Sequence, residues 1–82
     1  MFAVYVLYSQ IFDKIYIGYT SDLISRFKSH NELGKGWTKK FRPWIVIHVE
    51  FFDVKKDAII REKQLKSSRR RNWIRQNIIK IL

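Results

Sequence analysis

Apolar side chains run without a break from Phe2 to Tyr8, with Phe2, Val4, Val6 and Tyr8 interleaved with Ala3, Tyr5 and Leu7. Successive strand residues point to opposite faces, so the pattern predicts a strand buried on both sides. Ser9 to Asp13 is a short connection, and Lys14 to Tyr19 predicts a second strand that closes a hairpin with the first. If facing residues have numbers that sum to about 21, Tyr5 and Tyr16 are cross-strand neighbours.

Thr20 or Ser21 is placed to cap the following helix, with Asp22 complementing its positive end. Leu23, Ile24 and Phe27 supply its apolar stripe, and the helix is expected to stop before Gly34. Residues 31–43 read as a basic, glycine-containing loop. Trp44 to Phe52, β-branched and aromatic, predicts a third strand. Asp53 is a candidate cap for a helix through about Lys66. Ser67 or Ser68 then caps a last helix, with Trp73, Ile74, Ile78 and Ile81 as its stripe. The order ββα-βαα predicts an α+β fold. It is a small three-stranded antiparallel sheet flanked by about three helices, with residues 1–82 forming one domain.

Composition narrows the function classes. A hydrophobic fraction of 46% and an aromatic fraction of 16% describe a folded chain rather than a disordered basic tail. The absence of cysteine excludes disulfides, thiolate zinc sites and a cysteine nucleophile, and fits a reducing compartment. No apolar run approaches the roughly 20 residues of a membrane span, and the first residues alternate like a strand rather than a signal peptide. A soluble cytoplasmic protein without membrane contact is expected.

The net charge of +10 is the strongest compositional signal. Six basic residues stand against three acidic ones in residues 1–41, and eleven against four in residues 42–82. Such a field attracts polyanions, above all nucleic acid, whether DNA or RNA. The expected contacts are Lys66, Arg69, Arg70, Arg71 and Arg75 toward the C-terminus and Lys35, Lys39 and Lys40 in the loop. Trp37 in that loop is a platform on which an unpaired base can stack.

Chemistry concentrates between Lys14 and His30. Arg26 and His30, four apart on a helix, share one face just after the strand that carries Tyr16 and Gly18. A guanidinium fork suits a phosphate, and an imidazole suits proton transfer or orienting a water. Gly18 permits close approach at the strand end. Tyr5 and Tyr16 are strand tyrosines, which ordinarily pack and hydrogen-bond. As proton acceptors they need their pKa of about 10 lowered by a cation. Glu62 falls within the inward arc marked by Ala58, Ile59, Leu65 and the stem of Lys66. A carboxylate there needs a partner: an ion pair with Arg26 or a lysine, or a hard divalent cation. His48 is assigned to packing. Two histidines without cysteine do not build a common zinc site, and no phosphate-binding glycine loop is present.

Together these residues resemble the GIY-YIG nuclease family. Val4-Tyr5-Val6 takes the place of its first motif and Tyr16-Ile17-Gly18 that of its second. Arg26, His30 and Glu62 fall on the family's arginine, histidine and metal-binding glutamate. The segments Trp37-Thr38-Lys39, Arg42-Pro43-Trp44 and residues 61–69 are similar to the small stand-alone bacterial members, which resemble the nuclease domain of excinuclease C. The chain departs from the pattern in the valines around Tyr5, in Tyr19 where the excinuclease type tends to have lysine, and in Arg70 where relatives favour glycine. Asn72 or Asn77 stands for a late asparagine near the site.

The resemblance implies an endonuclease that hydrolyses DNA phosphodiesters with one divalent cation, Mg2+ or Mn2+, in DNA repair or processing. It implies Tyr5, Tyr16, Arg26, His30 and Glu62 as catalytic residues, with Glu62 the metal ligand. The alternatives are a non-catalytic nucleic-acid-binding module on the same scaffold and a basic protein-interaction subunit. As to oligomeric state, a monomer or a weak homodimer is expected.

Overall fold

The computed structural model describes residues 1–33 and 37–81. Strand β1 (Phe2–Ser9) lies at the centre of a three-stranded antiparallel sheet, between β2 (Lys14–Thr20) and β3 (Ile45–Phe52). The α+β architecture is as the hydrophobic pattern predicts. From Ala3 to Ser9 every residue of β1 is buried, because helices cover both faces of the sheet.

One face gathers Val4, Val6, Tyr8, Ile15 and Ile17 with Ala58, Leu65 and Ile74. The last three come from α3 (Lys55–Leu65) and α4 (Ser68–Asn77). The opposite face gathers Tyr5, Leu7 and Trp44, with Tyr16, Leu23, Phe27 and Phe41 packed around them. Leu23 and Phe27 belong to α1 (Leu23–Lys28), which runs on into a π-helical turn over Ser29–Leu33. Phe41 follows α2 (Trp37–Lys40), and a 3₁₀ turn over Ile79–Ile81 succeeds α4.

Several local expectations are corrected. The β1–β2 register pairs Tyr5 with Gly18 and Leu7 with Tyr16, so facing numbers sum to 23 rather than 21. A shift of two residues keeps every side chain on its face. The tyrosines are therefore diagonal neighbours, with ring centroids 6.2 Å apart. Asp22, not Thr20 or Ser21, caps α1: its carboxylate accepts from the Ser25 amide at 3.1 Å, and Thr20 Oγ1 accepts from the Asp22 amide at 3.0 Å. Ile24 is 83% exposed, since only Leu23 and Phe27, one turn apart, reach the sheet.

Within residues 31–43, expected as loop, the π turn and α2 form instead. Trp37 and Phe41, four apart, present one face, their rings 4.8 Å apart, and the Trp44 indole donates to the Thr38 carbonyl at 2.9 Å. Trp44 itself precedes β3 rather than opening it. Val54, not Asp53, holds the cap position of α3, and no side chain bonds there. Ser67 does cap α4, accepting from the Arg70 amide at 3.4 Å. Of the expected stripe, Ile74 is buried and Ile78 at the C-cap half-buried, whereas Trp73, and Ile81 in the 3₁₀ turn, point outward.

Two polar ties fix the α3–α4 layer. Arg61 grips Glu50 of β3 through Nε and Nη2 at 2.9 and 3.0 Å, and His48 Nε2 lies 2.7 Å from the same carboxylate. His48 thus serves the packing, but through a hydrogen bond. Arg75 of α4 reaches Asp13 in the hairpin turn at 2.7 Å, where Tyr8 also donates at 2.9 Å. Asp13 takes a φ of 53°, a left-handed conformation that short polar side chains tolerate.

Candidate active site

Tyr5 stands in the middle of the central strand, and its ring passes over Gly18 of the neighbouring strand. A Cβ on Gly18 would come within 2.7 Å of the Tyr5 hydroxyl and 2.9 Å of its Cζ. The glycine is what allows the phenol to lie across β2. Helix α1 starts directly after β2, and its continuation as a π turn swings His30 back over the sheet. There His30 is buried, with Nε2 3.0 Å from the Tyr5 hydroxyl. Short π-helical turns are rare and recur at functional sites. Tyr16 closes the group, its ring 4.6 Å from that of His30. The Arg26 guanidinium interacts electrostatically with both tyrosine hydroxyls.

The electrostatics follow from burial. Loss of solvent pushes the Tyr5 phenol up to about 12, against the opposing pull of Arg26. The expected lowering of this phenol by a cation is therefore outweighed by desolvation. His30 moves the other way: burial first, and then the nearby Arg26, hold its imidazole below the usual value. At neutral pH the pair is a protonated phenol beside a neutral imidazole.

Four of the five expected catalytic side chains thus converge on one point. Glu62 comes from the α3 layer, and among the described residues its partner is Lys66 at 3.1 Å. Its side chain is 14% exposed, inward as the helical projection predicts. Its partner Lys66 borders a groove of about 250 Å³ with Tyr16, Ile17, Trp37 and Arg71. No group of three or more His, Cys, Asp or Glu that could hold a metal occurs among the described residues. One inward carboxylate fits Mg2+, which takes one or two protein carboxylates and completes its shell with water and substrate phosphate. It does not fit a cation caged by protein alone.

Of the expected nucleic-acid contacts, Lys39, Lys40, Arg69, Arg70 and Arg71 are exposed and carry no ion pair among the described residues. Lys66 and Arg75 are engaged with Glu62 and Asp13. Lys35 lies outside the described residues. Trp37 is half-exposed, with its ring 6.4 Å from Tyr16 and 5.7 Å from Trp44. Of the two asparagines, Asn72 lines a concavity of about 390 Å³ with Trp37, Arg71 and Arg75, whereas Asn77 bonds back to the Trp73 carbonyl within α4.

Sequence reasoning missed Asn31. Its side chain clamps the Trp44 backbone, accepting from the amide at 2.6 Å and donating to the carbonyl at 3.0 Å. This fixes the residue after His30 to the start of β3 and so sets where the imidazole sits. No periodicity signals such a clamp; a polar residue directly after a candidate histidine is the only cue.

Residues 1–76 match the GIY-YIG catalytic domain family. A UPF0213 protein of Bacillus velezensis is 39% identical over 69 residues, which cover 78% of this chain and 69% of that protein. One from Staphylococcus haemolyticus is 34% identical over 65 residues, covering 77% and 78%. The solution NMR structure of a UPF0213 protein from Bacillus halodurans is similar in fold, with a TM-score of 0.55 at 28% identity. That match covers 90% of this chain and 82% of the other. No helix among the described residues is long and apolar enough to cross a membrane.

Proposed function

The chain belongs to the GIY-YIG catalytic domain family, a nuclease-type family, and from that premise we propose that it is a divalent-metal-dependent endonuclease that hydrolyses DNA phosphodiesters, in repair or processing. The observation that carries this reading is the Tyr5–His30 contact of 3.0 Å, with Arg26 and Tyr16 drawn to the same point. Proton transfer beside a phosphate is served by a phenol–imidazole pair next to a guanidinium, whereas a binding module does not require one.

In this mechanism a water attacks the phosphorus and the bond from phosphorus to the leaving sugar oxygen breaks, that oxygen taking a proton from solvent. The attacking water passes its proton to the Tyr5 oxygen, while the proton of Tyr5 moves to Nε2 of neutral His30. A phenol with a pKa of about 12 is a weak acid. Such a group relays a proton in step with its partner rather than standing ionised beforehand. Tyr16 helps to orient the water. Arg26 neutralises charge that builds on the phosphoryl oxygens. Glu62 would hold the divalent cation, Mg2+ or Mn2+, which supplies Lewis-acid stabilisation of the phosphate when bound. The exposed Lys39, Lys40 and Arg71, with Lys35 added to them, hold the backbone flanking the cleaved bond, and Arg69 and Arg70 extend the basic surface along the other flank of α4. Trp37 offers a face to an unpaired base.

The direct test is cleavage of supercoiled, branched and single-stranded DNA with and without Mg2+, beside Arg26→Ala and Glu62→Ala. Absence of cleavage by the wild type on every substrate, with binding intact, would favour the non-catalytic binding module.

Two further outcomes are expected. With about five phosphates contacted, log affinity falls against log salt with a slope of roughly −4.5 on duplex DNA. A slope near zero would remove the electrostatic footprint. The pH profile follows His30: its base form survives to lower pH than a free imidazole, so the acid limb of kcat/KM lies below about 6.5. An acid limb above the free value would deny His30 the accepting role. Tyr5 imposes no alkaline limb until the pH nears 12. Stability carries the same sign: between the lowered value of His30 and the ordinary one the unfolded chain binds more protons, so His30 costs stability as pH falls through that window.

A further inference from the structure

Helix α4 is basic on both flanks of its buried residue Ile74. The flank toward β2, with Ser68, Arg71, Asn72 and Arg75, lines the concavity that also includes Trp37. The other flank carries Arg69, Arg70 and Trp73, which with Gln64 and Ser67 enclose a second concavity of about 600 Å³ at the α3–α4 corner. Its residues take no part in the chemistry at Tyr5.

Trp73 has the helical spacing of a core residue, yet its side chain is turned outward, 46% exposed. Among the described residues no aromatic ring and no cation lies against its indole. Arg69 and Arg70, one turn before it, have no acidic partner there, and no acidic residue lines the concavity. An open indole face that shares a concavity with two unengaged guanidinium groups matches a nucleotide in shape and charge. The ring stacks the base, and the forks hold the adjoining phosphates.

We propose that Trp73, Arg69 and Arg70 form a second nucleotide seat for single-stranded nucleic acid, separate from the catalytic centre and on the far flank of α4 from Trp37. The proposal rests on the reading of the chain as a nucleic-acid-acting domain and adds a second point of attachment. The strand that enters the active site past Trp37 is one ligand segment, and the strand on Trp73 is another.

The test uses the full chain in EDTA, so that no cleavage occurs, with oligothymidylate dT8 as the probe. In Trp37→Phe the exposed indole that remains is Trp73, and its fluorescence is expected to quench saturably as dT8 is added. Trp73→Ala in the otherwise unaltered chain should weaken dT8 binding by at least about fivefold, the lower end of what one stacked base contributes. Trp73→Phe should restore most of the loss, which a change in folding would not do. Arg69→Ala with Arg70→Ala should weaken binding and flatten its salt dependence. Unchanged dT8 affinity in Trp73→Ala would overturn the seat. So would octaglutamate quenching Trp73 as well as dT8 does, since the surface would then be an acidic-peptide site. Absence of cleavage with Trp73 quenching intact would count against the nuclease reading alone.

Discussion

Glu62→Ala is expected to lower Mg2+-dependent strand cleavage by on the order of 10²- to 10³-fold or more while the fold and DNA affinity persist. That is the loss when one preorganised charge-stabilising group is taken from an active site. The fold should tolerate the change. The Glu62–Lys66 pair is an i,i+4 contact with half-exposed Lys66, and such pairs contribute only about 0.3–0.5 kcal/mol. Release of Lys66 leaves the basic field stronger, so affinity in EDTA should hold or rise. Arg26→Ala should lose cleavage to a similar degree for a different reason, the loss of charge stabilisation at the phosphoryl oxygens. Arg26→Lys should recover little, because a point charge does not reproduce a planar fork. Wild-type nicking by Glu62→Ala would place the cation elsewhere and remove the one-carboxylate site.

Gly18→Ala should be disproportionately harmful for a single methyl group. The added Cβ meets the Tyr5 hydroxyl at 2.7 Å and its Cζ at 2.9 Å, inside any tolerable contact, and Tyr5 is fully buried in the central strand. Overpacking of this kind costs about 1–3 kcal/mol. The ring can yield only by moving off His30, so cleavage should fall together with thermal stability. Tyr5→Phe is the informative partner, since it removes the nearest clashing atom and the relayed proton while keeping the ring. In Gly18→Ala/Tyr5→Phe the stability losses should be less than additive, a coupling that a double-mutant cycle measures. Additive losses, or a wild-type melting temperature for Gly18→Ala, would show that the phenol does not depend on the glycine.

The sequence makes the candidate site legible wherever a residue's placement is set by its own element. Arg26 and His30 announce themselves by helical spacing, and Glu62 by a carboxylate in an apolar arc. The second motif announces itself by a glycine ending an aromatic strand. Legibility fails where placement depends on chain segments meeting. Asp22 rather than its neighbours caps α1 because of the turn's hydrogen bonds, and α2 forms because Trp37 and Phe41 find Trp44 to pack on. Asn31 matters only because the start of β3 lies within reach of its amide. Trp73 reads as core from periodicity alone, yet the space inside α4 is already filled by Ile74.

The amino-acid pattern by itself determined the sheet and the places of α1, α3 and α4, and it offered four polar groups and one carboxylate as candidates for phosphodiester chemistry. Those follow from periods of two and of about 3.6 residues, which are properties of the local chain. Only the tertiary structure decided that Tyr5 faces Gly18, that the phenol is driven up to about 12 while the imidazole beside it is held neutral, and that Glu62 pairs with Lys66 rather than with Arg26. Register, burial and the field of a neighbouring guanidinium are set by which segments pack together, and no single stretch of sequence contains them.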